Sequence, residues 1–292
     1  MMNVKKAILP VAGFGTRLLP ASKSIPKEMI TVVDRPAIDY VVQEAVAAGI
    51  DTIILVTHPA KHSIENYFDR NKELEALLEQ KKKDKILDEV RRIIPDHVSV
   101  IAVRQPEPLG LGHAVLCAEK IINNEPFAVL LPDVLVDSTD KNNLQQMIEQ
   151  FDASQASQIM VEDVEPSRVD QYGIVALEQN AGQPTNNIVA LVEKPAVDQA
   201  PSTLAVVGRY IFTPEIFTYL HQTQADKSGE IQLTDAMAKL LEIQKIQAFT
   251  LKGYTYDCGS KIGYLKAVVH YALKRSDLNQ QFSEFLATIN HK

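Results

Sequence analysis

A glycine-bearing turn near the start of the chain is the first segment whose residues could do chemistry. Gly13 and Gly15 follow an apolar run at 6–11 that predicts a β-strand. Glycines let a ligand approach the backbone closely, and ligands of open α/β sheets bind beyond the carboxyl ends of the strands. The turn therefore predicts a binding site. It lacks the third glycine of dinucleotide-binding turns and the Gly-Lys-Ser/Thr of a P-loop, so a tight turn without a ligand is an equal alternative at this point.

Two cations follow on the same loop. Arg17 and Lys27 stand in a stretch that Pro20 and Pro26 keep from forming an immediate helix. Residues 1–27 hold five Lys and Arg residues and no Asp or Glu, although the whole chain has a net charge of −7. A loop with backbone N–H groups and two cations suits one polyphosphate. The alternative is a solvated basic edge without a ligand.

Two carboxylates that lie far apart in the chain are candidates for a metal site. Asp133 follows the apolar run 127–131, and Asp257 precedes Gly259. Mg²⁺ prefers carboxylates together with substrate phosphates and water. A turn-forming or helix-capping aspartate is the alternative for each position.

Two further segments place polar residues next to glycines or at a strand end. Glu193 and Lys194 end a predicted strand, where they could also form a salt-bridged edge. Gly110 and Gly112 precede His113 in a segment that is equally typical of a helix start. We expect His113 to pack or cap that helix rather than to catalyse.

The segments that must position these residues alternate, in the first half of the chain, between short β-branched runs and amphipathic stretches. This alternation predicts an α/β fold with a mostly parallel central sheet and helices on both faces. After residue 152 the strands follow one another with fewer helices between them, which predicts a mixed extension of the sheet. The predicted strands are 6–11, 52–57, 98–103, 127–131, 158–161, 173–177, 187–192 and 204–212, the predicted helices are 36–49, 69–94, 231–243, 261–273 and 277–289, and a hairpin loop is predicted at 180–187.

Composition and charge narrow the classes of function. With 292 residues, 46% hydrophobic and 23% charged, the chain is predicted to be a soluble globular protein, either one large domain or a core with an appendage. Its acidic net charge disfavours a general nucleic-acid or anionic-membrane binder, and no run reaches the roughly 18 to 20 apolar residues of a membrane span. Cys117 and Cys258 show no disulfide or metal-ligand spacing, which favours a reducing cytoplasm.

The loop motif is specific enough to indicate a family. Gly-x-Gly-Thr-Arg-Leu-x-Pro at 13–20, followed by Pro-Lys-Glu-Met at 26–29, resembles the signature loop of the sugar-phosphate nucleotidyltransferases. Val-Arg-Gln at 103–105, Gly-Leu-Gly-His-Ala at 110–114 and Glu-Lys-Pro at 193–195 follow in the order that this family requires. The resemblance therefore covers almost the whole chain.

The resemblance implies roles for individual residues. An aspartate at the position of Asp133 holds the metal in this family, and one at the position of Asp257 completes the site. A glutamine at the position of Gln105 reads the pyrimidine edge, while Glu193 accepts hydrogen bonds from sugar hydroxyls and Lys194 holds the sugar phosphate. The implied catalytic residues are Arg17, Lys27, Asp133 and Lys194; the implied nucleotide-binding residues are Ala12, Gly13, Gly15, Thr16, Arg17, Lys27, Gln105, Gly110, Gly112 and Asp133; the implied sugar-phosphate-binding residues are Gly173, Glu193, Lys194 and Gly208; the implied metal ligands are Asp133 and Asp257.

The resemblance also implies a fold and a reaction. The fold is a Rossmann-like nucleotidyltransferase domain over 1–292, in which 1–152 mainly bind the nucleotide, 153–260 mainly bind the sugar phosphate through a small β extension, and 261–292 form C-terminal helices. The reaction transfers a uridylyl group from UTP to α-D-glucose 1-phosphate by direct in-line attack, with Mg²⁺ as cofactor. These two substrates are the implied partners of a cytoplasmic homodimer or homotetramer that binds neither nucleic acid nor membrane.

Two alternatives remain open from the sequence. A member of the same family could use dTTP, CTP or GTP with a sugar 1-phosphate, because base choice can depend on a few contacts. A non-catalytic paralogue could keep the fold and sense a nucleotide without turnover, because fold alone does not determine function.

Overall fold

The computed structural model describes residues 4–289, and a nine-stranded sheet runs through the centre of the molecule. Four short strands form two small additional sheets. The strands are β1 (Lys6–Pro10), β2 (Thr31–Val32), β3 (Arg35–Pro36), β4 (Thr52–Thr57), β5 (Ser99–Arg104), β6 (Phe127–Leu130), β7 (Val134–Ser138), β8 (Ser157–Asp163), β9 (Gly173–Asn180), β10 (Gln183–Glu193), β11 (Leu204–Phe212), β12 (Ile246–Thr250) and β13 (Gly253–Asp257).

Helices occupy most of the remaining chain. Short 3-10 helices lie at Thr16–Leu18, Ala21–Lys23, Lys27–Met29, Pro166–Gln171 and Val197–Gln199. Within residues 4–289, no helix is both long enough and apolar enough to cross a membrane. The α-helices are α1 (Ala37–Ala47), α2 (His62–Phe68), α3 (Lys72–Gln80), α4 (Asp84–Arg91), α5 (Gly110–Cys117), α6 (Glu119–Ile122), α7 (Asn143–Ser154), α8 (Ile216–Gln222), α9 (Leu233–Leu241), α10 (Lys261–Lys274) and α11 (Asn279–Ile289).

The central sheet has the strand order β5-β4-β1-β6-β11-β8-β12-β10-β9. The first four of these strands are parallel. Strand β11 then pairs antiparallel with β6 and β8, and antiparallel pairs join β12, β10 and β9 at the far edge. Because β1 and β6 are adjacent and parallel, the loops after both strands leave the same edge of the sheet. These loops carry the glycine turn and Asp133.

Helices cover both faces of this sheet, as the sequence predicts. Neighbouring residues of one strand point to opposite faces, so Ile8 and Ile54 pack in one core while Leu9 and Leu55 pack in another. Helices α1 and α7 close the core around Leu9, and α5, α8 and α9 close the core around Ile8. The prediction of a helix-covered α/β sheet is confirmed, with the wholly parallel part confined to four strands.

Three local predictions were wrong or too broad. The segment 69–94 forms two helices because Lys82 takes a left-handed φ of 52° within a run of three lysines. The hairpin loop is shorter than 180–187, since Ala181 and Gly182 both have positive φ and make a two-residue turn. The predicted strands end with 204–212, so β12 and β13 were missed, and β7 was missed as well.

Candidate active site

The loop after β1 folds into three 3-10 turns instead of an α-helix. Gly15 takes a left-handed φ of 65°, and the Ser22 hydroxyl donates to the Gly15 carbonyl over 2.7 Å. A Cβ at Gly15 would lie 3.0 Å from the Cβ of Lys27, so glycine lets the two ends of the loop approach each other. Within the loop Ala12 is buried, whereas Gly13 and Thr16 are exposed at the surface. The prediction that no α-helix follows β1 directly is confirmed.

A buried ion pair between Lys61 and Glu28, which the sequence did not predict, supports this loop. The Lys61 ammonium donates to both Glu28 carboxylate oxygens over 2.9 and 3.0 Å and to the Gly13 carbonyl over 2.5 Å. The Glu28 side chain is fully buried. Burial raises the pKa of Glu28, although the Lys61 ammonium acts to lower it. Burial lowers the pKa of Lys61, although the Glu28 carboxylate acts to raise it. The only signal in the sequence was one acid, Glu28, inside a loop whose other charged residues are all cations. A buried carboxylate requires a cation as partner.

Lys27, a predicted phosphate-binding cation, forms an ion pair with Asp133, a predicted metal ligand. The Lys27 ammonium lies 2.6 Å from Asp133 Oδ2, and both side chains are largely buried. Burial acts to lower the pKa of Lys27, but the Asp133 carboxylate outweighs it, and that pKa is raised. Burial likewise acts to raise the pKa of Asp133, and the Lys27 ammonium outweighs it, so the pKa of that carboxyl is lowered. Each group therefore keeps the other charged.

The small sheet of β7 and β13 brings the second carboxylate to the first. Val134 pairs with Asp257 in this antiparallel ribbon, and the Cys258 amide donates to the Asp133 carbonyl over 2.7 Å. Asp257 also lies 3.5 Å from a guanidinium nitrogen of Arg17, in a pair that solvent screens because the Arg17 side chain is 74% exposed. Asp133, Asp257 and Arg17 therefore converge from three separate segments of the chain.

The two carboxylates fit a divalent metal. A Cβ built on Gly259 would lie 2.8 Å from Asp133 Oδ2 and 2.9 Å from Asp257 Oδ1, so one point beside the glycine is within 3 Å of both oxygens. Among residues 4–289, no group of three or more His, Cys, Asp and Glu side chains is placed to hold a metal ion. Two carboxylates with substrate phosphates and water match the ligands that Mg²⁺ takes.

Glu193 and Lys194 lie at the end of β10. The Thr234 hydroxyl donates to Glu193 Oε2 over 2.7 Å, which orients the carboxylate, and Lys194 Nζ lies 3.5 Å from Glu193 Oε1. Lys194 has a left-handed φ of 42°, and its side chain is 61% exposed. A Cβ on Gly173 would lie 3.2 Å from Glu193 Oε2. The structure thus joins Gly173, Glu193 and Lys194, and it leaves the Lys194 ammonium exposed.

Gly208 and Arg209 support the loop that carries Asp133. At Gly208, which has a φ of 76°, a Cβ would collide with the Leu131 side chain 2.7 Å away, and the Leu131 amide donates to the Gly208 carbonyl. The fully buried Arg209 guanidinium binds the Glu44 carboxylate and donates to the Leu131 and Val134 carbonyls. Sequence reasoning placed Gly208 in the sugar site, and its close contact here is with protein.

Close contacts within the chain also explain why positions 110 and 112 are glycines. The Gly112 amide donates to the Ile231 carbonyl over 2.8 Å, and a Cβ at either glycine would come within about 3 Å of Glu230 or Ile231. Gln105 follows β5 and is 5% exposed. The segment 105–112 therefore packs against the residues that precede α9.

A cavity of about 760 Å³ opens where the small sheet meets the central one. Four of the predicted residues line it, namely Arg17, Asp133, Gly208 and Asp257. The other predicted site residues lie outside its lining, among them Lys27, Gln105, Glu193 and Lys194. The cavity therefore joins the two predicted metal ligands with Arg17 and Gly208, whereas Lys27 and the predicted base-reading residue lie outside it.

Comparison with known proteins decides the family. The sequence model of the nucleotidyl transferase family matches residues 6–274. The UTP–glucose-1-phosphate uridylyltransferase of Haemophilus influenzae is 49% identical over 291 residues, which cover 97% of this chain and 98% of that protein. The chain belongs to the family of UTP–glucose-1-phosphate uridylyltransferases.

Solved structures of this uridylyltransferase family have the same fold. A UTP-bound UGPase from Acinetobacter baumannii is 57% identical with a TM-score of 0.90, covering 97% of this chain and 99% of that one. A UDP-glucose pyrophosphorylase complexed with UDP-glucose is 42% identical with a TM-score of 0.84, covering 93% and 100%. The family that the loop motif indicated, the nucleotidyltransferase class and the mixed α/β fold are confirmed. The roles of single residues stay predictions.

Proposed function

We propose that this chain transfers the uridylyl group of UTP to α-D-glucose 1-phosphate and releases pyrophosphate. One observation carries the proposal: Asp133 and Asp257 face a common point beside Gly259, with Lys27 and Arg17 next to them. This arrangement suits a triphosphate, which needs cations for its oxygens and carboxylates for its metal. Relatives of the same family, one bound to UTP and one to UDP-glucose, support the choice of substrates.

The chemistry needs no nucleophile or general base from the protein. A phosphate oxygen of glucose 1-phosphate attacks the α-phosphorus of UTP, and the bond to the leaving pyrophosphate breaks in line. Catalysis then consists of positioning and of charge stabilisation. When bound at Asp133 and Asp257, Mg²⁺ would supply neutralising charge to the phosphate oxygens.

The chain's own cations do the remaining work. The Lys27 ammonium has three donors, of which Asp133 takes one among the described residues, so two are free for phosphate oxygens. The exposed Arg17 guanidinium can leave its weak contact with Asp257 at little cost and bind the triphosphate. Lys194 holds the phosphate of the sugar, which brings the second polyanion against the first.

A turnover panel tests this function. We expect UTP with glucose 1-phosphate to give the highest rate of pyrophosphate release among UTP, dTTP, CTP and GTP paired with glucose 1-phosphate or mannose 1-phosphate. If dTTP matches UTP, the enzyme is a less specific pyrimidine nucleotidyltransferase. Calorimetric binding of UTP without any product would instead identify a nucleotide-sensing paralogue and refute the proposed activity.

Substitution of Lys194 by alanine should raise the KM for glucose 1-phosphate at least about tenfold and leave the KM for UTP nearly unchanged, because a charge-assisted hydrogen bond is worth about 1.5 to 3 kcal/mol. Initial rates with each substrate varied in turn measure the two constants. Lys120→Ala, at an exposed lysine of α6 without a side-chain partner among the described residues, is the matched control. Equal changes in both KM values would contradict the assignment.

We also infer a homodimer or homotetramer in a reducing compartment such as the cytoplasm. Ile262, Leu265 and Phe285, on α10 and α11, are 64, 56 and 56% exposed, which is typical of a face that a second copy covers. Cys117 and Cys258 are both free thiols. Sedimentation of a monomer at micromolar concentration would refute the oligomer.

A further inference from the structure

The side-chain amide of Gln105 is held by two contacts at the start of α5. Its Nε2 atom lies 3.1 Å from the Gly110 carbonyl oxygen and 3.1 Å from His113 Nδ1. The side chain is almost wholly buried, and its backbone amide donates to the Thr57 carbonyl at the end of β4. Gln105 is therefore fixed at the carboxyl edge of the parallel strands, the edge that also carries the phosphate loop.

Hydrogen-bond chemistry leaves one orientation for this amide. A backbone carbonyl only accepts, so the Gln105 atom beside the Gly110 carbonyl must be the NH₂ group. Its second N–H then points at His113 Nδ1, which must accept and therefore carries no proton. The ring proton of neutral His113 sits on Nε2, which faces Cys117 Sγ at 3.9 Å. Both donors of the amide are thus used inside the chain.

The other end of the amide stays available. Gln105 Oε1 accepts no hydrogen bond from the side chains and amides of residues 4–289. It is also not cut off from solvent: among these residues, Asp152 Oδ1 is the one side-chain polar atom that is both fully buried and without a hydrogen bond. Gln105 therefore presents a lone acceptor at the edge of the sheet. Of the pyrimidine bases, uracil and thymine offer a donor at N3, whereas cytosine offers an acceptor there.

We propose that His113 is a positioning residue that sets base specificity, because it locks Gln105 as an acceptor that admits uracil and rejects cytosine. The proposal rests on the proposed uridylyl transfer and explains how that site chooses its base. To receive cytosine N3, the amide would have to turn over, which would place Oε1 against the Gly110 carbonyl. His113 could follow this rotation only by moving its ring proton from Nε2 to Nδ1, away from Cys117 Sγ. A leucine at position 113 would remove the contact with the amide altogether, and with it one of the two bonds that oppose the rotation.

Two nearly isosteric substitutions at position 113 test the idea. Asparagine places Oδ1 near the site of the imidazole Nδ1 and keeps the acceptor, whereas leucine places a methyl group there. We measure kcat/KM for UTP and the inhibition constant of CTP against UTP, with glucose 1-phosphate saturating, in the wild type, His113→Asn and His113→Leu. CTP as an inhibitor reports its binding even where its turnover is too slow to follow.

We expect His113→Leu to lower the preference for UTP over CTP about tenfold, the value of one neutral hydrogen bond, mainly through tighter CTP binding. His113→Asn should keep most of the wild-type preference. A residue that only packs α5 would lower the affinity for both nucleotides together and leave their ratio unchanged. An unchanged ratio in His113→Leu, or equal loss in both variants, overturns the proposal. A wild type that forms no UDP-glucose would instead refute the proposed function, and the two failures are distinct.

Discussion

Replacing Asp133 with asparagine is expected to lower turnover with UTP and glucose 1-phosphate by about 100- to 1000-fold, the usual effect of removing one electrostatic stabiliser. The change removes one of the two carboxylates that face the point beside Gly259, and it leaves the Lys27 ammonium without its counter-charge. Asparagine keeps the size of the side chain, so the fold should survive. Pyrophosphate release over a titration of Mg²⁺ measures the loss, and circular dichroism checks the fold.

Asp140→Asn is the matched control for this prediction. Asp140 lies in the loop between β7 and α7, is exposed, and makes no side-chain hydrogen bond with the residues that the structure describes. It should show wild-type rates. Calorimetry adds a readout apart from turnover, because UTP binding should gain less from Mg²⁺ in Asp133→Asn than in the wild type. Near-normal turnover by a folded Asp133→Asn enzyme would remove this residue from the metal site.

Replacing Lys61 with methionine should destabilise the protein by about 3 to 5 kcal/mol, the cost of breaking a buried ion pair from one side. The Glu28 carboxylate is fully buried and would keep no cation at hydrogen-bond distance. The Gly13 carbonyl would also lose its donor, so the turn that offers its backbone to the phosphates would loosen. Urea denaturation followed by circular dichroism measures the free energy of unfolding. Lys120→Met, at the exposed lysine of α6, should change it by less than about 0.5 kcal/mol.

The double variant Lys61→Met/Glu28→Gln separates the ion pair from the turn. Removing both charges should recover most of the lost stability, because no unpaired charge stays buried. It should not restore the hold on Gly13, and the KM for UTP should therefore stay raised in a stable protein. If the single and the double variants were equally stable, the cost would not come from the orphaned Glu28 carboxylate.

The same variants have a defined pH dependence. Burial already raises the pKa of Glu28 above its ordinary 4.5, and Lys61→Met removes the main charge that opposes this shift. The folded state then binds a proton more tightly than the unfolded state, so stability grows as the pH falls from the raised pKa of Glu28 towards 4.5, and is lost as the pH rises through that raised value. Lys61→Met/Glu28→Gln should lack this dependence. Equal slopes in the single and double variants would contradict the assignment to Glu28.

Much of the fold could be predicted from local sequence. The strands β1, β4 and β6 are short apolar runs buried on both faces, and such runs predict a parallel sheet whatever lies elsewhere in the chain. The loop motif with Arg17 and Lys27, and the position of Asp133 after a buried strand, are also local features. They were sufficient to indicate the family and to predict where a phosphate would bind.

The ribbon of β7 and β13 could not be predicted in this way. Each strand is five residues long, and its pairing partner lies more than 100 residues away in the chain. The pairing brings Asp257 to Asp133, and Gly259 leaves the space between them. The resemblance implied both metal ligands, and the tertiary structure alone shows what holds them together.

The contacts that support the candidate site also differ in whether the sequence could predict them. The sequence by itself determined which residues carry charge and which segments form strands, because these properties depend on side-chain type and near neighbours. It did not determine that Lys61 neutralises Glu28 under the Gly13 turn, or that His113 holds the amide of Gln105. Those partners are chosen by directional hydrogen bonds in a buried space, and that space exists only once the sheet and its helices have packed.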